Sequence, residues 1–416
     1  MLTILNIPIL IALFLIYFWS LYNLPILIIG LKKTFSSNKN LKKPIKEFPF
    51  FSILIAAKNE EKVIERLLKT LLTLEYPKEK MEVIIVEDGS KDKTREICMK
   101  YAQAHPNLIK FYHKEVSCGK PSALNFAASK AKGEIICILD ADNVPSKDLL
   151  LKAAEYFQDS KIVAVQGETL SLNANETLIS KIVSYEEKIW FKLFIAGKNA
   201  LNLFVPLTGS CGFIRKKVLD EVGGWSEDSL AEDVELAMKI IEKGYSIKYA
   251  SNINSWQESV NSIKKLFKQR IRWFRGYMET FIKYSKLLRK PSKLKVDAEI
   301  SLFGPFILNM CLIVYLSPII NLFNFNHFLK TVASTLTFLI TLLTIMLLLI
   351  SGLALYFALS PKKLRNIIWV AIIFLYWFLQ LFIAFWALLL ILTNRPKVWV
   401  KTEKSGNITE ILPCQD

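Results

Sequence analysis

Apolar and polar residues are spread unevenly along this chain. Leu2–Leu31 is almost wholly apolar and uncharged, and three similar runs follow near the end: Ile300–Phe323, Val332–Ser360 and Ile367–Thr393. Each exceeds the roughly 20 residues that cross a hydrocarbon core about 30 Å thick. Runs that are apolar all round suit lipid better than an amphipathic core helix does. Lys32 and Lys33 follow the first run, which predicts an anchor over residues 1–33 rather than a cleaved signal peptide, with the next domain cytoplasmic. Three full crossings within 300–393 would leave a tail (394–416) outside. Basic flanks at Lys362, Lys363 and Arg365, and at Arg395, Lys397 and Lys401, argue instead for both ends of the last run inside. One of the three runs is therefore expected to be re-entrant or interfacial.

Between the anchors, short apolar runs alternate with helical spacing. Phe51–Ala56, Val83–Val86, Ile109–Tyr112 and Ile135–Leu139 read as strands; Asn59–Leu74, Asp92–Ala104 and Pro121–Ala131 read as helices. Strands that are continuous apolar runs predict an α/β fold with a mainly parallel sheet covered on both faces, over residues 45–255. Ligands of such sheets bind beyond the carboxyl ends of the strands. Residues 256–295 differ. Ile263, Leu266, Phe267, Phe274, Tyr277, Met278, Phe281 and Ile282 recur at helical spacing among lysines and arginines, the pattern of a basic amphipathic helix at a membrane interface.

Composition sharpens this reading. A 52% hydrophobic fraction over 416 residues agrees with membrane insertion, and a net charge of +17 points to an anionic surface or a phosphorylated ligand. No nucleic-acid-binding signature accompanies the charge. The six cysteines show no CxxC spacing and the three histidines are isolated, which argues against zinc and against a disulfide framework.

The polar clusters fall where the strands end. Ala57-Lys58-Asn59-Glu60 follows the first strand and Glu87-Asp88-Gly89-Ser90 the second; alone, either reads more readily as a loop or helix cap than as a site. Asp140-Ala141-Asp142 follows the fourth. Two carboxylates one residue apart at a buried strand end suit a divalent cation bridging to phosphate, and hard oxygen ligands favour Mg²⁺ or Mn²⁺. Lys120 stands before Pro121 at a helix start, where a lysine and free N–H groups can meet a diphosphate or where the lysine is simply solvated. Glu232-Asp233 opens an amphipathic helix, Val234–Lys243, and is also the charge a helix N-terminus favours.

In order along the chain, Asp88, Asp140-x-Asp142, the Thr208-Gly209-Ser210-Cys211-Gly212 element, Glu232-Asp233 and Gln269-x-x-Arg272-Trp273 closely resemble the membrane-bound family 2 glycosyltransferases. That family includes cellulose, chitin, hyaluronan and poly-N-acetylglucosamine synthases. The resemblance runs from about Phe51 to Tyr277 and implies a GT-A type nucleotide-sugar-binding domain. It implies that Ala57, Glu60 and Asp88 hold base and ribose, that Lys120 meets the diphosphate, and that Asp140 and Asp142 serve metal and donor. Asp233, next to Glu232, would be the general base. Gln269, Arg272 and Trp273 would frame acceptor and leaving diphosphate, and Thr208, Gly209, Ser210 and Cys211 the acceptor end. Two departures are Ala231, where the family often has Thr, and Cys118, where His is common; neither removes a carboxylate. The expected reaction moves a sugar from a nucleotide diphosphate, UDP by family tendency, to a growing β-linked polysaccharide with possible export. Single addition to a lipid acceptor is the alternative, and a non-catalytic sugar-binding subunit a distant one. Trp399-Val400-Lys401-Thr402-Glu403-Lys404 resembles a C-terminal element that in some relatives lids the nucleotide; modification of the sequon Asn407-Ile408-Thr409 would instead place the tail outside.

Overall fold

The protein is described by a computed structural model over residues 2–35, 45–320, 327–358, 368–397 and 401–407. Lys362, Lys363, Arg365, Trp399 and the last two sequon residues lie outside these. Among the described residues eight strands run in chain order: β1 Phe51–Ala57, β2 Met81–Asp88, β3 Ile109–Lys114, β4 Ile135–Ile138, β5 Val144–Pro145, β6 Ala164–Ser171, β7 Gly212–Arg215 and β8 Ile247–Gln257. The helices are α1 Leu2–Phe35, α2 Ile64–Leu72, α3 Thr94–Ala104, α4 Lys120–Lys130, α5 Leu149–Phe157, α6 Leu178–Ile189, α7 Ala196–Ala200, α8 Lys216–Glu221, α9 Glu232–Glu242, α10 Ile263–Tyr284, α11 Lys293–Leu302, α12 Gly304–Ile320, α13 His327–Ala358 and α14 Ile368–Leu392. The chain divides into two compact units. One comprises Met1–Asn38, Lys188–Leu203 and Leu266–Val398; the other comprises Lys39–Glu187, Phe204–Lys265 and Trp399–Asp416.

The second unit is built on one mixed sheet in the order β3-β2-β1-β4-β7-β6-β8-β5. β3, β2, β1 and β4 pair in parallel, as does β6 with β8, while β7 runs antiparallel to both β4 and β6 and β5 antiparallel to β8. The fold is GT-A-like, with the four strands legible in the sequence forming the parallel half. Its core joins Phe51, Ile53 and Ile55 of β1 with Val83 and Ile85 of β2 and the inward face of α2, including Leu67, Leu68 and Leu71. Register explains the clustering of polar motifs: Phe51 lies opposite both Met81 and Ile135. The residues after Ala57, the end of β2 and Asp140 therefore emerge along one edge.

In the helical unit, α1 packs against α12, α13 and α7, and α12 against α14. Gly30 lets α1 approach closely, since a Cβ there would lie 1.9 Å from the Leu193 carbonyl oxygen. Leu193 belongs to a π-helical stretch, Trp190–Ile195, and the Thr34 hydroxyl donates to the Lys192 carbonyl within it. A buried ion pair also ties this unit: Lys198 Nζ reaches both Asp297 carboxylate oxygens at 2.8 Å, the Tyr22 hydroxyl donates to Asp297 at 2.7 Å, and both partners are 1% exposed.

Among the described residues three helices are long and apolar enough to cross a membrane, over Pro8–Thr34, Ser334–Leu353 and Ala371–Leu392, and the bent pair α11–α12 makes a fourth if it is one span. The expected run Ile300–Phe323 is divided instead. Residues up to Leu302 belong to α11, the axis bends by 45°, and α12 has 17 residues, or about 26 Å of helix. The basic amphipathic run becomes α10 followed by a 3₁₀ turn, Ser285–Arg289.

Candidate active site

The donor edge is organised by the first two strand ends and the start of α4. Asp88 is buried, and its carboxylate accepts hydrogen bonds from Ser117 Oγ at 2.6 Å, Gly119 N at 2.9 Å and Cys118 N at 3.0 Å. It thereby fixes the loop that delivers Lys120. Glu87 holds the adjoining turn through the Ser90 N–H and His113 Nδ1. Ala57 is buried at the end of β1, and Glu60 lies just beyond it. Burial pushes the Glu60 carboxyl up to about 7, although the neighbouring Lys401 ammonium, 2.9 Å away, works in the opposite sense.

Lys120 gathers groups from three separate motifs, carboxylates from two and a carbonyl from the third. Its Nζ lies 2.6 Å from Asp140 Oδ1 and 3.6 Å from Glu232 Oε1, and donates to the Gly209 carbonyl at 3.1 Å. Burial opposes its charge, but Asp140, Glu232 and Asp233 outweigh it and raise the ammonium's pKa. Asp233 stands in the first turn of α9, where its Oδ1 accepts from the Val234 N–H at 2.8 Å. Gly209 adopts φ +76°, and a Cβ there would sit 3.1 Å from Asp233 Oδ2 and 3.3 Å from Lys120 Nζ. A residue with a side chain would therefore crowd the two groups as well as strain the backbone. A small hollow opens beside them, lined by Gln166, Gly209, Ser210, Glu232 and Asp233. Ser210 and Cys211 themselves are buried.

Several residues that build this site drew no notice in the sequence. Gln166 holds the 208–211 loop, accepting from Thr208 N at 3.0 Å and donating to the Ser210 carbonyl at 2.9 Å. Asn143 Oδ1 accepts from both Asp140 N and Ser210 Oγ. Glu258, immediately after β8, donates its backbone N–H to Asp142 Oδ2 at 3.0 Å. An amide or carboxylate inside a strand (Gln166) or beside one (Asn143, Glu258) is the local signal they offer.

Asp140 and Asp142 each carry an ammonium partner. Lys120 is on Asp140, and Lys404 of the C-terminal segment lies 2.7 Å from Asp142 Oδ2. Burial opposes the Lys404 charge too, yet Asp142, Asp140 and Glu60 raise its pKa. Among the described residues no three His, Cys, Asp or Glu side chains form a closed metal cage. The donor set nevertheless fits a hard divalent cation: two carboxylates, one buried, stand at a place already compensated by cations, with the remaining ligands left to phosphate and water. Lys401, Lys404 and Asn407 all lie on the sheet unit.

Gln269, Arg272 and Trp273 belong to α10 within the helical unit. There the Arg270 guanidinium stacks 4.4 Å from the Trp273 ring centroid. Arg275, one turn on, donates to the Arg395 and Pro396 carbonyls at 2.6 and 3.2 Å, just past the end of α14.

Comparison with known proteins agrees with this geometry. A probable glycosyltransferase of Bacillus subtilis, YdaM, is 31% identical over 280 residues, covering 66% of this chain and 67% of its own length. A β-monoglucosyldiacylglycerol synthase of Nostoc is 35% identical over 245 residues, 58% of this chain and 52% of its own. A poly-β-1,6-N-acetyl-D-glucosamine synthase of Staphylococcus epidermidis is 30% identical over 253 residues, 61% of this chain and 60% of its own. The chain thus matches only about half to two thirds of the length of these relatives. In fold it is similar to a mannosyltransferase from Pyrobaculum calidifontis, solved with GDP-Man and Mn²⁺, with a TM-score of 0.61 at 19% identity, covering 94% of this chain and 99% of that one. The family described as "Glycosyltransferase like family 2" matches residues 49–276, more than half of the sequence, and the chain belongs to it.

Proposed function

We propose that the protein is an inverting transferase that moves a sugar from a nucleotide diphosphate, UDP in the first instance, to an acceptor held at the cytoplasmic face of a membrane. The observation that carries this reading is the convergence of Asp140, Glu232 and Asp233 on Lys120 at the end of the parallel strands. One base suffices for such a displacement. Asp233 takes the acceptor hydroxyl's proton as oxygen attacks the anomeric carbon and the nucleotide diphosphate leaves from the opposite face. Lys120 turns from Asp140 towards the diphosphate and offsets its growing charge. A Mg²⁺ or Mn²⁺ ion held by Asp140 and Asp142 would neutralise more of that charge. Ala57, Glu60 and the loop fixed by Asp88 receive base and ribose. Gly209, Ser210 and Cys211 form the acceptor end, and Gln269, Arg272 and Trp273 frame acceptor and leaving group.

For the acceptor, extension of a β-linked glycan is the reading the motifs suggest. The relative named for a glucosyldiacylglycerol product supports single addition to a lipid, and product length separates the two. The chemistry is tested by nucleotide diphosphate release across a panel of UDP- and GDP-sugars. Asp233→Asn should lower turnover by about 10²–10⁴-fold without loss of the folded protein. A variant as fast as the parent would remove Asp233 from its role.

A further inference from the structure

Gln166 belongs to none of the motifs that mark the site, yet its side chain is bonded along the length of one of them. It stands in β6 opposite Gly212 of β7 and is 1% exposed. Besides its bonds to Thr208 N and the Ser210 carbonyl, its Nε2 donates to the Gly167 carbonyl at 3.0 Å and the Cys211 carbonyl at 3.4 Å. The backbone held in this way is strained. Cys211, fully buried, adopts φ +53°, a left-handed value that costs free energy in a residue with a Cβ. Gly167 leaves room for it: a Cβ there would stand 2.5 Å from Cys211 Sγ, and the Gly167 N–H donates to the Cys211 carbonyl at 2.8 Å. Three groups of the proposed chemistry rest on this turn. The Gly209 carbonyl accepts from Lys120, Gly209 itself lies against Asp233, and Ser210 Oγ accepts from the Asp140 N–H at 3.1 Å.

We infer that Gln166 is a positioning residue for sugar transfer: it holds the strained turn 208–211 in the shape that spaces Lys120 and Asp140 from Asp233. This rests on the reading of Asp233 as the base. A primary amide suits the place, because one of its atoms accepts a backbone N–H while the other donates to backbone carbonyls. A carboxylate has no proton to donate, and an aliphatic side chain neither donates nor accepts. Without the amide, the Thr208 N–H loses its acceptor and Cys211 relaxes towards an ordinary φ, which shifts Gly209 against Lys120 and Asp233. The groups assigned to base and ribose, Ala57, Glu60 and Asp88, sit at the ends of β1 and β2 instead. Loss of Gln166 therefore slows transfer more than it weakens donor binding.

The test uses the full-length protein in detergent, with sites counted by UDP binding and turnover read with the nucleotide sugar that the release assay selects. Gln166→Met keeps the length of the side chain and removes the amide. Turnover per site should fall about 10²-fold, the scale of a misplaced reacting group, while KM for the donor stays within about threefold. In the Asp233→Asn background the same substitution should cost no more than about threefold, because the placement of a base that is gone has no effect on rate. A purely structural role gives a different pattern: fewer sites at unchanged turnover per site, or a loss that multiplies that of Asp233→Asn. Either result would overturn the inference. With Cys211→Gly in place, Gln166→Met should cost only about tenfold, since glycine takes φ +53° without strain; an equal loss with and without Cys211→Gly would also overturn it. That background carries the Asp233→Asn comparison if Gln166→Met alone does not fold. Were Asp233→Asn as fast as the parent, the base reading would fail; a slow Asp233→Asn beside a fast Gln166→Met would sink the role of Gln166 alone.

Discussion

Glu60 shows how one residue ties the site to conditions. Its carboxyl has an ordinary value of 4.5 and is pushed to about 7 by burial in the folded protein. Between these values the folded state keeps a proton that the unfolded chain has released, so stability falls as pH rises through this window and levels off above it. The contribution is on the order of 3 kcal/mol. Melting temperatures in detergent between about pH 5 and pH 8 should decline for the parent and decline less for Glu60→Gln; parallel curves would assign the pH dependence to other groups. At the same scale, Asp88 shows what sequence reading does not reach. Its position at the end of β2 marked it as a site residue, but the bonds to Ser117, Cys118 and Gly119 depend on a loop some thirty residues away.

At the scale of elements, the helical unit depends on contacts that apolar patterning conceals. Lys198 and Asp297 sit on α7 and α11, with Tyr22 of α1 completing the group, and none of the three stands out among the chain's many charges. Breaking such a pair strands a buried charge. Asp297→Asn should therefore lower stability by about 3–5 kcal/mol, whereas the double replacement Lys198→Met with Asp297→Leu should recover much of it. Thermal unfolding in detergent measures both; a double variant no better than the single would show that the group does more than neutralise itself. Helix α10 was legible from its period, and so was the first turn of α9 with its acidic pair. The bend between α11 and α12 has a local signal too, Gly304-Pro305 directly after Phe303, which apolar patterning passes over.

At the scale of the whole molecule, connectivity constrains the membrane topology. The chain leaves the sheet unit after Lys265 and returns to it with residues 401–407, which hold Glu60, Asp142 and Glu258. We expect both points on one side of the membrane, with the segments between them crossing an even number of times. Helices α13 and α14 are long and apolar enough for two crossings, and the bent pair α11–α12 is the segment expected not to cross. Asn324→Cys, in the link between α12 and α13, should react with an impermeant maleimide in inverted vesicles and not in intact cells, with the native cysteines replaced. Labelling in intact cells would make α12 a crossing.

The sequence alone determined the class of the protein, because that information is local. A continuous apolar run specifies a buried strand or a span, and five short motifs in fixed order specify the family without knowledge of their contacts. It also posed the parity question through the basic flanks of the last span, though it did not choose which run fails to cross. Tertiary structure decided what the motif residues do to one another: that Lys120 links Asp140 with Glu232, that Asp88 builds a loop, and that Lys404 lies on Asp142. These pairings join residues from about twenty to more than two hundred and sixty positions apart, and only strand register and chain return bring them together. No periodicity records such a distance. Glu258 is the extreme case, an unremarkable residue after a strand until the tail arrives on it.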